Sequence, residues 1–424
     1  MLLSWKPTKI FYGWWIVAAS LVIALYAGGV TFYGFTAIFE PIANEFGWSY
    51  TQISLAASLR GLEMSFLAPI TGRLVDRWGP RRLIFGGAII ICLGLILLSH
   101  TTSIGMFYGA FALIAIGLGT CTSTVLMTAV ANWFRKRVGT VSGIVASGFG
   151  FGGLLVPVIV NLIDTHGWRT AINTLAFGML AIVVPLSLLF RHKPEQYGYL
   201  PDGEVKSTAA TDNNLALPQP AEVDIGVKQA LKSKAFWHIA VATMCHMTMA
   251  TSIVTHVMPY LSSIGIARST SSLVATGIPL TSIIGRLGFG WIGDKFDRKQ
   301  IAAVAFIMMG LGTFCFGYIA SAGIWLIVPF LIFFCIGYGG SVALRPSLTR
   351  DFFGRLNFGS VFGLIMGLSM LGGLIGPPLA GWVYDNYGSY QNIWFVFAGL
   401  AVAGCILMLT IPPVSATTQP SDKA

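Results

Sequence analysis

The chain has 424 residues, 55% hydrophobic and 10% charged, with a formal net charge of +10 and a mean hydropathy of +0.75. Soluble domains carry roughly 25% charged residues, so this composition excludes a water-soluble globular fold. What remains is a protein that crosses a bilayer repeatedly.

About 20 consecutive apolar residues carry a helix across the hydrocarbon core. Such stretches are predicted at 11–38, 49–71, 83–99, 104–132, 138–164 and 168–190, then at 235–261, 269–292, 301–319, 324–350, 361–384 and 391–411. Barrel strands would alternate polar and apolar residues, and these stretches do not. The expected fold class is therefore an all-α membrane protein with twelve transmembrane helices. The first stretch follows Lys6 and Lys9, is long and lacks a small-residue cleavage site, so it reads as a retained helix.

Of the 26 Lys and Arg residues, 21 fall in alternate loops beginning with the N-terminus, including Arg73, Arg135, Lys136, Arg137, Lys295, Arg298 and Lys299. Only Arg169 and Arg268 fall in the other loops. The positive-inside rule then puts both termini in the cytoplasm, and the basicity is topological, with no support for a nucleic-acid partner. The six cysteines lie within predicted helices and form no C-x-x-C, which fits buried apolar fillers and not a metal site.

The one long polar stretch, 191–234, divides the chain. Its end, IGVKQALKSK, has the pattern of a basic amphipathic helix on the membrane face. The two sides repeat one another. GRLVDRWGPRR from Gly72 recurs as GWIGDKFDRKQ from Gly290, pairing Asp76 with Asp294 at an offset of 218. Gly139, Gly143, Ser147, Gly152, Gly153 and Pro157 recur as Gly359, Gly363, Gly367, Gly372, Gly373 and Pro377 at an offset of 220. Small residues at such spacings let membrane helices approach closely. An aspartate at a helix's C-terminal end opposes that helix's dipole, so Asp76 is expected to draw Arg77, Arg81, Arg82 and a neighbouring helix N-terminus, with Asp294 as its copy. This would be a conformational gate; the alternative is that the basic residues serve topology alone.

The loop motif resembles the signature of the major facilitator superfamily, and with twelve helices and a long middle loop the resemblance covers the whole chain. It implies two six-helix bundles, 1–190 and 235–411, joined by a cytoplasmic linker at 191–234 and followed by a cytoplasmic tail at 412–424. The bundles would be related by a pseudo-twofold axis along the membrane normal, with the substrate between them near the midplane. FYGWWIV from Phe11 and WFRKRVGTVSGIVASGFGFGG from Trp133 resemble the two signatures of the monocarboxylate transporter family and its bacterial relatives, among them the oxalate:formate antiporter. The first signature normally begins with an acidic residue, and here Phe11 and Tyr12 stand there.

Ionisable side chains inside spans are costly and face a partner or a wet cavity. Arg60, Glu63, Arg286, His238, His246 and His256 fall in spans, with Arg345 nearer the inner surface. Arg286 lies eight residues before Asp294, about 12 Å along a helix, and its counterpart in the first half is Ala68. A guanidinium fork suits a carboxylate and keeps its proton. The resemblance implies the same, since the monocarboxylate transporters bind the substrate carboxylate with an arginine at this place. Animal members also carry an aspartate one turn earlier and a lysine in the first helix, both implicated in proton coupling; here Ser282 stands at the former place and the first helix has no lysine. Glu63 is then a candidate for proton coupling, or else a structural partner of Arg60 three residues earlier. His256 fits the bacterial pattern as a group for substrate or proton. Helices 1, 4, 7 and 10 line the cavity in this superfamily, which adds Tyr26, Tyr33, Thr122, Thr124 and Tyr338 as hydroxyl donors to the substrate.

The expectation is a monomeric transporter of the bacterial cytoplasmic membrane with no cofactor, moving a lactate-like or pyruvate-like monocarboxylate with protons by alternating access. The oxalate exchanger places a lysine on helix 11 that is missing here, so one cavity cation favours one carboxylate unless Arg345 also faces the cavity. Exchange of organic anions and transport of drugs or sugars are the alternatives. The scattered histidines and cysteines give no enzyme constellation.

Overall fold

The computed structural model describes residues 11–48, 50–121, 123–203 and 225–412; Thr122 and the side chains of Tyr33, Arg60 and Glu63 lie outside the described residues. Among the described residues, ten helices are long and apolar enough to cross a membrane. Two more, Tyr50–Trp78 and Lys234–Ser263, match them in length but carry more polar residues. In chain order the twelve begin with α1, which runs over Gly13–Gly28, passes through a π turn at Gly29–Tyr33 and continues over Gly34–Phe46. Then come α2 (Tyr50–Trp78) and α3 (Pro80–Ser99). The fourth, α4, is described over Ile104–Cys121 and Ser123–Trp133. They are followed by α5 (Val138–His166) and α6 (Trp168–Ser187). The second half holds α7 (Lys234–Ser263), α8 (Arg268–Gly293), α9 (Arg298–Gly317), α10 (Ile324–Phe353), α11 (Phe358–Tyr387) and α12 (Gln391–Leu409).

The first six helices pack on one another, as do the last six, and the groups meet mainly through α2 against α11 and α5 against α8. Glycines set both junctions. A methyl group on Gly72 would stand 2.1 Å from the Gly359 oxygen, and one on Gly363 would stand 2.4 Å from the Ala68 oxygen. At the other junction, methyls on Gly139 and Gly143 would fall 2.5 Å and 2.2 Å from the oxygens of Gly290 and Arg286. Only glycine permits that approach, so the spaced glycines seen in the sequence bring two backbones into direct contact. The expected amphipathic segment forms a short helix at Val227–Lys232 with Ala230 buried.

Candidate anion site

At the basic end of the molecule, each junction is closed by an aspartate from one bundle on the first amides of a helix from the other. Gly139 N and Thr140 N, opening α5, donate to Asp294 at 2.8 and 2.7 Å. Gly359 N and Ser360 N, opening α11, donate to Asp76 at 3.0 and 2.7 Å, and the Ser360 hydroxyl adds a third bond at 2.7 Å. A carboxylate at a helix N-terminus satisfies amides that no intrahelical carbonyl reaches. Burial pushes the Asp76 carboxyl above its ordinary range, against the Ser360 and Gly359 hydrogen bonds and the charge of Lys193, which pull it down. Asp294 is also paired with Arg298 at 3.1 Å. Arg77, Arg81 and Arg82 are exposed, and among the described residues no ion pair joins them to Asp76.

Further bonds tie the same end. Arg350 donates to the Ala131 oxygen and Arg355 to the Asn132 oxygen, while Arg355 pairs with Glu195 at 2.6 Å. Asp202, in the linker, accepts from Arg135 N and Lys136 N at 2.9 and 2.8 Å. Among the described residues, the hydrogen bonds that join the bundles lie at this end or at Arg286.

Arg286 sits on the α8 face that meets α5. It is 6% exposed, its Nη1 donates to the Ala146 oxygen, and its buried Nε has no hydrogen-bond partner. No carboxylate pairs with it among the described residues. A buried cation with a donor unused can accept an anion, because leaving such a group unpaired is costly. Below the guanidinium lies the ring of Tyr338, 5.8 Å from Arg286 Cζ. That ring stacks on His246 at 5.3 Å and 14°, and His246 in turn meets Arg345. Four side chains from α7, α8 and α10 thus form one row. Just ahead of Tyr338, α10 carries a π turn at Leu331–Cys335, a feature frequent near functional sites.

The structure brings Arg286 and Tyr338 together and places His256 and Tyr26 elsewhere. His256 bonds through Nδ1 to the Tyr390 hydroxyl at 3.2 Å and through Nε2 to the Pro377 oxygen at 2.9 Å, so both ring nitrogens are engaged by α11 and α12. It lies ten residues beyond His246 on α7, about 15 Å by helix rise. Tyr26 donates to the Leu175 oxygen at 3.0 Å and fills the space beside Gly178, which commits it to packing against α6. Thr124 is buried, and its carbonyl accepts from Thr128 at 2.7 Å. Thr122, and the side chains of Tyr33 and Glu63, lie outside the described residues. The sequence reading missed His246 and Arg345 as partners. A usable signal was present, since Tyr338 and Arg345 are seven residues apart, two turns of one helix face.

The family model described as Major Facilitator Superfamily matches residues 19–265 and 246–424. Monocarboxylate transporter 12 of Xenopus laevis is 24% identical over 420 residues, covering 95% of this chain and 89% of its own. The oxalate:formate antiporter of Oxalobacter formigenes is 25% identical over 380 residues, covering 88% of this chain and 86% of its own. Among solved structures, a proton:xylose symporter superposes with a TM-score of 0.75 at 14% identity, over 95% of this chain and 96% of that one. The human organic anion transporter MFSD10 gives 0.70 at 12% identity, over 93% and 99%.

Proposed function

The chain belongs to the major facilitator superfamily and is a multi-pass membrane transporter related to monocarboxylate transporters and an oxalate:formate antiporter, and from that premise we propose that it carries a small monocarboxylate held by Arg286. The observation that supports this reading is the guanidinium itself, buried at the α5–α8 junction with Nε unpartnered and, among the described residues, no carboxylate paired with it. A carboxylate would complete the fork with charge-assisted hydrogen bonds. Tyr338 forms the floor beneath the anion. Arg345 lies two side chains further along the row, beyond Tyr338 and His246, where it lines a small cavity with Thr243, Phe306, Leu348 and Met408. One cation at the junction suits one carboxylate, of lactate or pyruvate size.

With the termini cytoplasmic by the positive-inside rule, the basic end faces the cytoplasm, and the two aspartate caps hold the junctions together on that side. Separation of Asp76 and Asp294 from α11 and α5 would open that side, and the anion would cross by alternating access with a proton, in the bacterial inner membrane. Uptake of labelled lactate, pyruvate and oxalate into proteoliposomes, with and without a pH gradient, tests the proposal. Lactate and pyruvate are expected to enter, faster with an acidic outside. Counterflow supported by oxalate and not by lactate would overturn the monocarboxylate reading in favour of anion exchange. In the same assay Arg286→Lys keeps the charge and loses the fork, so near-normal uptake would refute bidentate binding.

A further inference from the structure

On the far side of Tyr338 from Arg286, α7 and α10 bring His246 and Arg345 into contact. His246 has 0% exposure and Arg345 7%. A guanidinium has five donors and no acceptor. Arg345 Nη2 lies against Nδ1, nearer than its 3.1 Å to Nε2, so Nδ1 is the nitrogen that presents its lone pair, and Nε2 carries the hydrogen, facing the Tyr338 carbonyl oxygen at 3.3 Å. These contacts fit a neutral imidazole with its hydrogen on Nε2. To become an imidazolium it would have to turn an N–H toward another N–H, so gaining a proton means giving up the Arg345 bond.

The groups facing His246 are few. On α10 they are Arg345 and Tyr338, and beyond Tyr338 lies Arg286 of α8. On α9 Phe306 stands edge-on at 6.4 Å. Thr243 and Ser341 line the adjoining small cavity with Met408 of α12, which has Cys405 three residues before it. α11 carries no ionisable side chain between Phe358 and Val383. The described cluster thus holds two fixed positive charges and no carboxylate.

We propose that His246 is the proton carrier of the transport cycle, kept neutral by Arg345 while the cluster is empty and protonated when a carboxylate on Arg286 offsets the local positive charge. This rests on the carboxylate reading of Arg286. The proton comes from water on the side to which the site is open and adds to the Nδ1 lone pair as the Arg345 hydrogen bond is released. It leaves to water on the opposite side with the anion, and the bond to Arg345 re-forms. One proton and one carboxylate leave the cluster's charge unchanged, which makes the coupling electroneutral. Arg345 acts as a positioning residue.

Two measurements on the full chain test this. In anion-free nanodiscs at pH 7, the ¹⁵N-histidine signal lost in His246→Gln is expected to be a neutral imidazole protonated at Nε2; an imidazolium there would overturn the proposal without reference to any substrate. In proteoliposomes, His246→Gln is expected to keep lactate counterflow within about threefold while lactate-driven proton entry falls by about tenfold or more. Wild-type proton entry in that variant would overturn it. So would parallel loss of counterflow and proton entry at an unchanged melting temperature, which would make His246 part of the grip on the anion. Counterflow of neither lactate nor oxalate in the wild type would sink the Arg286 reading and this one with it, whereas normal counterflow without proton movement sinks only this one.

Discussion

The α2–α11 and α5–α8 junctions share one plan at the basic end and part company about two turns further in. Each has an aspartate on two helix amides and two glycines set against the partner's backbone. Where Gly363 meets the Ala68 carbonyl at one junction, Gly143 meets the Arg286 carbonyl at the other. The backbones correspond and the side chains do not. Under the proposed function, what the halves share is scaffold and gate, and what only one of them has marks the cargo. A membrane protein keeps a buried arginine against a cost of about 2.5–3.5 kcal/mol on insertion scales, and a duplicated fold supplies a control position, Ala68, where that cost is not met.

The strongest way to break this comparison is at the differing pair. Arg286→Ala is expected to lower lactate counterflow about 100-fold or more, the scale of two hydrogen bonds to a charged group. Ala68→Ser, at the matching place, should leave it within about twofold. Comparable losses from both would show that the asymmetry carries no function. Next come the shared glycines. Gly143→Val and Gly363→Val each drive a side chain into a carbonyl and should destabilise by about 2 kcal/mol or more, read as similar falls in melting temperature in detergent. Unequal falls would mean that the junctions bear different loads.

The caps come third. Asp294→Asn and Asp76→Asn weaken helix-end bonds of about 1 kcal/mol, a shift of about fivefold toward opening at the basic end. Spin-label distances between the α2–α3 and α10–α11 loops would register the change at Asp76, and those between the α4–α5 and α8–α9 loops the change at Asp294. No change in either would remove the gate role. The smallest effect separates the two caps themselves. Ser360→Ala removes a hydroxyl bond to Asp76, while Thr140 contributes only its amide to Asp294. The first should loosen its junction by about 1 kcal/mol and the second by about zero.

Much of the scaffold was legible because the duplication printed it twice: Gly72 with Gly290, Asp76 with Asp294 and the six residues at offset 220 marked the contact faces before any coordinates. Arg286 stood out for the opposite reason, as a charge with no copy. What periodicity did not settle was which histidine joins it. His246 and His256 share a helix, but ten residues turn the face by about 80° and raise it by about 15 Å, and only packing decides which of the two faces meets α10. The family pattern pointed to His256, which α11 and α12 hold through both ring nitrogens. Arg345 was read by depth alone, and depth does not tell whether a side chain faces the junction or the interior of its own bundle. The expected pull of Arg77, Arg81 and Arg82 on Asp76 followed from sequence neighbours, whereas the carboxylate turns across to the other bundle.

Arg286 touches α5 twice, through its own carbonyl oxygen against Gly143 and through its guanidinium on the Ala146 oxygen. The residue proposed to grip the cargo is thus also a tooth in the sliding contact. If α8 tilts away from α5 during the cycle, Nη1 is released from Ala146 and becomes available to the anion, so affinity rises in one orientation and falls in the other. Half-saturation would then differ between the two membrane faces, and the carrier would act as a valve whose bias is set by a single backbone carbonyl.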